Sequence, residues 1–427
     1  MKKHLYGMPC ALAIISLFVA CSDQFTRTLF KGQYPHQRYS KQLDNAGIER
    51  TALYRQWQEA AVRSLSDPTA IRIPHQETAY MPPDQPTAIG YIFPARQGER
   101  LQVEVTTQSI DTVALFIDLF EAPLDTAAAY KHVASADTGT TALTWDFRKD
   151  GHYILRIQPE LLAEVSFVLR LTGDPSLANP VASAAKQHIG SVFGDARDGG
   201  GRKHEGIDIF AAHGTPVVAA ADGTVGRVGD NRLGGKVVWL RPKGRDINLY
   251  YAHLDSQLVA PGQQVVIGDT LGLMGNTGNA RTTPPHLHFG IYGIGGAVDP
   301  MPFVRPGKSV PPDISANVNR IGDTLRTVQP LLADASRHIP VRVEAATASG
   351  YRVVLPDDSR HVLKPRQLVA LTDLRSMQLT KPRIVYAQPD TMAARITELE
   401  SGQRTNVTAE YKDFLMVEQP LRGWILR

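Results

Sequence analysis

Apolar and polar positions change their period several times along this chain, and each change marks a boundary. A short apolar run from Cys10 to Ala20 comes first. Ile48, Leu53, Trp57, Ala60, Ala61 and Leu65 then recur at helical spacing until Asp67-Pro68, which predicts one helix that stops there. Pro74, Pro82, Pro83 and Pro86 punctuate the stretch that follows, in the manner of a linker. From Ala88 to Thr172 the period drops to two. Leu101, Val103 and Val105 alternate with polar residues, and Val113 to Phe120 and Tyr153 to Ile157 read as further strands, so a small antiparallel β-sandwich is expected. Residues 190–305 are dense in glycine and short strands, and Pro306, Pro311, Pro312 and Pro330 mark a second linker. Near the end, Tyr351–Pro356 followed by Val362-Leu363 parallels Phe414–Pro420 followed by Trp424–Leu426, which suits a small β-barrel used twice.

The pattern therefore predicts a mainly β protein. Its expected parts are a leader over 1–20, a tether with a short helix over 21–84 and a β-sandwich over 85–175. A β-rich domain over 186–306, a linker over 307–334 and small β-barrels over 335–376 and 377–427 complete the chain. With 427 residues, 43% hydrophobic and 21% charged, the composition is that of globular protein and excludes global disorder and a multi-span membrane protein. The formal charge is +4, and Lys2 and Lys3 supply two of those charges. The remaining 44 basic and 42 acidic residues leave no electrostatic case for a nucleic-acid partner.

Lys2 and Lys3 before the apolar run have the order of a secretory signal, and the run is well short of the ~20 residues a spanning helix needs. Leu17–Cys21 resembles a bacterial lipobox, with Phe18 in place of the usual aliphatic residue. That resemblance implies lipidation of Cys21 and membrane attachment through the N-terminal lipid. Cleavage before Cys21 would also remove Cys10, so no disulfide is expected. Ser22 stands where an inner-membrane retention signal carries Asp, which points to the outer membrane, facing the periplasm.

The chemistry is concentrated in two short segments, Gly201–Ile209 and His286–Gly290. Residues two or four apart share a face of a strand, so His204 can side with Asp208, and His286 with His288. Two imidazoles, a carboxylate and an open position make a catalytic zinc shell. His204-Glu205 followed by Asp208 also approaches the helical zinc-protease signature, but Gly206, Ile207 and Ile209 favour a strand, with Glu205 turned away.

At these residues the chain resembles the lysostaphin-type, or LytM-like, zinc endopeptidases that cut peptidoglycan cross-links. His204 and Asp208 match that family's H-x-x-x-D pair, and His286 and His288 its H-x-H pair. Tyr251-Ala252-His253-Leu254 matches its remaining motif. Phe193-Gly194, Gly214–Val217, Asp222-Gly223 and Gly275–Gly278 are supporting matches, while Thr282–Pro285 departs from the usual Gly-Pro. The resemblance covers about residues 188–305. It implies a LytM-like peptidase domain with zinc held by His204, Asp208 and His288, and with His253 and His286 as catalytic residues acting on peptidoglycan stem peptides. Either free histidine could be the acid–base and the other the oxyanion donor. Val385-Tyr386-Ala387, Gly402 and Gly423-Trp424-Ile425 are similar to bacterial Src-homology-3-like modules, which often hold cell-wall peptide. Two alternatives stand beside the enzyme: a non-hydrolytic LytM-like protein that binds wall or activates an amidase, and a metalloprotease of protein substrates.

Two other features read as structural. Gly262–Asp269 with Leu271-Gly272 looks like a lipoyl-carrier turn, but residues 254–292 contain no lysine to carry the group. Arg241, Lys243 and Arg245 around Gly244 read as a solvated basic turn.

Overall fold

The computed structural model describes residues 33–427 except 109–112, 126–127, 183–184, 306–308, 332–336 and 420. The expected leader, its apolar run and Cys21 lie outside the described residues. Among the described residues no helix is long and apolar enough to cross a membrane.

The alternating stretch folds as read. Leu101, Val103 and Val105 of strand Glu99–Thr107 are at most 3% exposed, while their neighbours face outward. One sheet runs in the order Thr69–Ala70, Ile89–Ala95, Gly151–Pro159, Leu115–Glu121, Lys131–Ser135. Tyr91, Phe93, Leu119 and Leu155 from this layer pack with Leu101, Phe167 and Leu169 of the opposing one. Each such buried side chain contributes about 1.5–3 kcal/mol of transfer free energy.

The stretch read as a tether is more structured than its composition suggests. The expected helix spans Ala52–Ser66, with Thr51 capping it by accepting from the Tyr54 N–H at 3.2 Å. A second helix, Pro35–Asn45, was not predicted because it has no apolar stripe. Its one buried residue is His36, which stacks on Trp57 with centroids 4.6 Å apart. Gln158 ties both helices to the sandwich, bonding the His36 ring at 2.7 Å and donating to the Trp57 carbonyl at 2.9 Å. The stretch punctuated by prolines likewise contains a central strand, His75–Met81.

That strand joins the two ends of the chain. It pairs antiparallel with Pro340–Thr347, from Glu77 opposite Thr347 to Ala79 opposite Ala345. The segment expected to be a separate barrel over 335–376 therefore continues the sandwich's second sheet. Glu77 accepts from the Arg352 guanidinium at 2.6 and 2.7 Å, and Tyr91 donates to the same carboxylate at 2.6 Å. Burial would raise the Glu77 pKa, but Arg352 outweighs it and the carboxyl is held at about 2. Such a pair leaves each partner dependent on the other, so the register between the sandwich and this segment is tightly specified.

The last six strands form their own sheet, in the order Arg375–Gln378, Arg404–Tyr411, Phe414–Val417, Gly423–Leu426, Arg383–Tyr386, Arg395–Leu399. Each copy of the faint repeat forms an antiparallel hairpin, 351–354 with 360–363 and 414–417 with 423–426. Tyr351 and Leu355 share one core with Tyr411, Phe414 and Trp424, so the two C-terminal parts pack together. Among the described residues the pairings close no barrel.

The chain between these parts forms an antiparallel sheet in the order His188–Ser191, Ile207–Phe210, His286–Gly293, Ile247–Gln257, Gly235–Pro242, Gly223–Asn231, Gln264–Val265, with Pro216–Val218, Thr270–Met274 and Gly296–Val298 attached. It is docked on the sandwich. Arg245, read from the sequence as solvated, donates to the Asp146 carboxylate and to the Ser176 carbonyl.

Candidate metal centre

Strands Ile207–Phe210, His286–Gly293 and Ile247–Gln257 are neighbours, with Asp208 opposite His288 and His288 opposite Ala252. Period two then places His286 and His288 on one face of their strand. His204 lies in the loop just before Ile207, with its N–H bonded to the Asp195 carbonyl at 2.8 Å. The helical zinc-protease reading is thereby excluded, because residues 204–210 are loop and strand.

Three donor atoms converge. His204 Nε2 lies 2.9 Å from His288 Nδ1 and 3.0 Å from Asp208 Oδ1, and His288 Nδ1 lies 3.1 Å from the same oxygen. His204 Nδ1 is 2.9 Å from the Val192 carbonyl, which can only accept, so that nitrogen carries the proton and Nε2 presents its lone pair. A neutral His288 can place its one proton on Nδ1, but that hydrogen leaves Asp208 Oδ1 and His204 Nε2 facing each other at 3.0 Å, whereas a metal ion among the three would be bound by all of them. Burial lowers the His288 pKa, which disfavours a second proton on that ring. Burial would raise Asp208, but its contacts with both imidazoles outweigh that and hold the carboxyl well below its usual range. Ligands about 2.0–2.1 Å from a tetrahedral ion are about 3.3–3.4 Å apart, close to the spacing found here. The three residues fit a metal, and two imidazoles with a carboxylate suit zinc in particular.

Two further histidines flank the triad. The His253 ring is 4.9 Å from His286 and 5.9 Å from His288 between centroids. His253 Nδ1 lies 2.9 Å from the Thr277 carbonyl, and His286 Nδ1 lies 2.9 Å from the Pro284 carbonyl. Each therefore holds its proton on Nδ1 and leaves Nε2 as a base. Burial lowers the His253 pKa to about 4, so it is neutral near pH 7. His253 also sits at φ 62°, a left-handed backbone that costs a non-glycine residue about 1–3 kcal/mol, at a point where the strand register shifts. All five residues line a cleft of about 730 Å³ whose walls include Arg202, Glu205, Trp239, Tyr250 and Tyr292.

Residues 202–300 match the profile of peptidase family M23. This segment is an M23 peptidase domain. It is 44% identical over 109 residues to an uncharacterized metalloprotease of Haemophilus influenzae, covering 25% of this chain and 22% of that one. An L-Ala–D-Glu endopeptidase of Bacillus subtilis is 41% identical over 130 residues, 27% of this chain and 39% of that protein. Peptidoglycan DD-endopeptidase ShyC of Vibrio cholerae is 41% identical over 88 residues, 21% and 20% of the two chains. The chain thus spans between a fifth and two fifths of the length of these relatives.

The M23 domain brings together all five histidine and aspartate positions singled out in the sequence. Its supports were less visible. Arg197 donates to Asp208 Oδ2 at 2.6 Å, and Ser191 and Asp195 complete the loop that holds the His204 ring. Nothing in their spacing marks them. Gly206 is required by close approach, since a Cβ there would lie 2.5 Å from the Phe289 carbonyl oxygen and 2.7 Å from His288 Cε1. Its position midway between His204 and Asp208 was the available signal. Thr283 in the departure Thr282–Pro285 donates to the Ala280 carbonyl at 2.8 Å, and Pro284 supplies the carbonyl that orients His286.

Proposed function

We propose that this protein is a zinc-dependent endopeptidase that hydrolyses peptide cross-links of bacterial peptidoglycan. The observation that carries the reading is the convergence of His204, Asp208 and His288, each donor within 3.1 Å of the next, beside two imidazoles with bare Nε2 atoms. In this reading His204 Nε2, Asp208 Oδ1 and His288 Nδ1 are the metal ligands. Bound zinc supplies Lewis acidity and brings the pKa of water toward neutrality.

The flanking histidines perform the proton transfers. Each ring keeps Nδ1–H on a carbonyl and so offers Nε2 as its base, and one of the two accepts the proton of the attacking water and passes it to the departing amine. The other ring, once protonated at Nε2, donates to the carbonyl oxygen as charge develops there. The carbonyls of Thr277 and Pro284 hold the Nδ1–H of both rings, so each works through Nε2. The names of the relatives, two of them endopeptidases, support peptide hydrolysis, and that of ShyC supports peptidoglycan as substrate.

The lipobox-like Leu17–Cys21 supports attachment through an N-terminal lipid to the outer membrane, with the cleft in the periplasm. Multiple acyl chains hold a membrane stably where a single chain does not. The C-terminal sheets are proposed to hold cell-wall peptide.

The test is incubation of the protein, produced from residue 22 onward, with purified cross-linked peptidoglycan, reading the products by mass spectrometry. Loss of cross-linked dimers that disappears with a chelator and with His288→Ala is expected. Intact cross-links in the presence of stoichiometric zinc would refute the activity.

A further inference from the structure

The loop from Ser191 to Arg197 touches two of the three proposed ligands from outside the centre. Arg197 Nη2 has two hydrogens and uses both, donating to Asp208 Oδ2 at 2.6 Å and to Ser191 Oγ at 2.7 Å. Ser191 Oγ in turn donates to Asp195 Oδ2 at 2.8 Å, and that oxygen also accepts the Val192 N–H at 2.9 Å. The Val192 carbonyl then fixes the His204 ring through Nδ1 at 2.9 Å. One side-chain chain thus runs from the outer oxygen of Asp208 to the outer nitrogen of His204. Arg197 is delivered by a two-stranded hairpin in which it lies opposite Arg202, with Gly199 and Gly200 at positive φ in the turn.

We propose that Arg197 is a positioning residue for the metal centre, which holds Asp208 Oδ2 away from the ion so that Oδ1 alone binds, and which couples that carboxylate to the loop orienting His204. The inference rests on the ligand assignment proposed above. A carboxylate with both oxygens free can chelate a metal through both or through one. Here the outer oxygen is occupied by a charge-assisted hydrogen bond, the strong kind, and the side chain is only 10% exposed. A four-coordinate site with an open position follows from a carboxylate that binds through one oxygen. Without Arg197, Asp208 is free to rotate and bind through both, which fills the open position and loosens the ring of His204.

The experiment uses the full chain, with zinc affinity measured by competition against a chromophoric chelator and with cobalt(II) as a spectroscopic probe. Arg197→Gln removes the charge and the guanidinium nitrogen that bonds both Asp208 and Ser191. It is expected to weaken zinc binding about 10–100-fold, the usual effect of losing an outer-shell partner. Its cobalt bands should be weaker than those of the parent, because visible bands lose intensity as coordination number rises. Arg197→Lys, which keeps the charge, should recover part of the affinity. Ser191→Ala, which leaves the Arg197–Asp208 bond, should lose several-fold at most and keep the parent's spectrum, and is the control that separates that bond from the rest of the loop.

Melting of the metal-free proteins separates positioning from general damage: the Arg197 variants should unfold within a few degrees of the parent while differing in affinity. Parent-like affinity and cobalt bands in Arg197→Gln, or in Arg197→Lys should the first variant not fold, overturn the positioning role. A parent chain that binds neither zinc nor cobalt overturns the ligand assignment instead, and the two failures are therefore distinct.

Discussion

Gly206→Ala is the substitution whose effect can be worked furthest from the geometry. A methyl group there would lie 2.5 Å from the Phe289 carbonyl oxygen, 2.7 Å from His288 Cε1 and 2.9 Å from His288 Nε2. These fall short of an ordinary contact at 3.4 Å by about 0.9, 0.7 and 0.5 Å. Phe289 cannot retreat, because its strand is paired on both sides, to Ile207 and to Tyr251. The His288 ring must therefore move by roughly half an ångström or more, or residues 204–208 must lift away from it. Either movement exceeds the ~0.2 Å within which metal–ligand distances are held. Zinc affinity should fall by at least the ~10–100-fold seen when a ligand's support is lost. Peptidoglycan cleavage should fall about 100-fold or more, as expected of a misplacement approaching 1 Å. Overpacking also costs about 1–3 kcal/mol of stability, read as a lower urea midpoint of the metal-free protein. Gly229→Ala is the control, because nothing lies within 4 Å of a Cβ at that position. If Gly206→Ala bound zinc as tightly as the parent, the close packing of His288 on Gly206 would be excluded as a determinant of the site.

The remaining expectations address chemistry and stability separately. His204→Ala and His288→Ala should bind no stoichiometric zinc and leave peptidoglycan dimers intact, whereas His253→Ala or His286→Ala should retain the metal and, for whichever is the acid–base, lose about 10²–10⁴-fold in rate. Metal analysis and dimer release on the same preparations check both halves. Burial, with help from Arg156, holds the His36 pKa at about 4 against an ordinary value of 6.5. The folded state thus binds fewer protons than the unfolded one, so this contribution is complete above about pH 6.5 and is lost as pH falls to about 4. It amounts to on the order of 3 kcal/mol, and His36→Gln should flatten that part of the pH–stability curve. Glu77→Gln removes the nearer of two carboxylates on the buried Arg352, leaving Glu344 at 3.6 Å, and should cost about 1–3 kcal/mol in denaturant unfolding, while replacing both Glu77 and Arg352 with apolar residues should cost less.

How much of this was legible beforehand depended on how local the determining physics is. A period of two in Glu99–Thr107 is set by alternate burial and predicts itself, and the helix at Ala52–Ser66 announces its cap and its stripe. The helix at Pro35–Asn45 did not, because its packing face is an imidazole stacked on an indole from another element. Strand His75–Met81 was hidden by the prolines on either side of it and by Glu77, a residue that is depleted in strands until Arg352, 275 positions away, makes its burial tolerable.

The candidate site divides the same way. Spacing puts His286 and His288 on one strand face, as the structure has them, whereas His204, expected to share a strand face with Asp208, reaches it from the loop before the strand. The sequence by itself determined the donor types, the strand periodicity and hence the reaction class that this donor set suits. Only tertiary structure decided that Asp208 stands opposite His288, that a left-handed backbone at His253 brings a third strand's imidazole to them, and that Arg197 holds the outer carboxylate oxygen. Periodicity is a property of one segment, whereas register, close approach and the far end of a hydrogen bond belong to pairs of segments, and those are settled only when the sheet assembles.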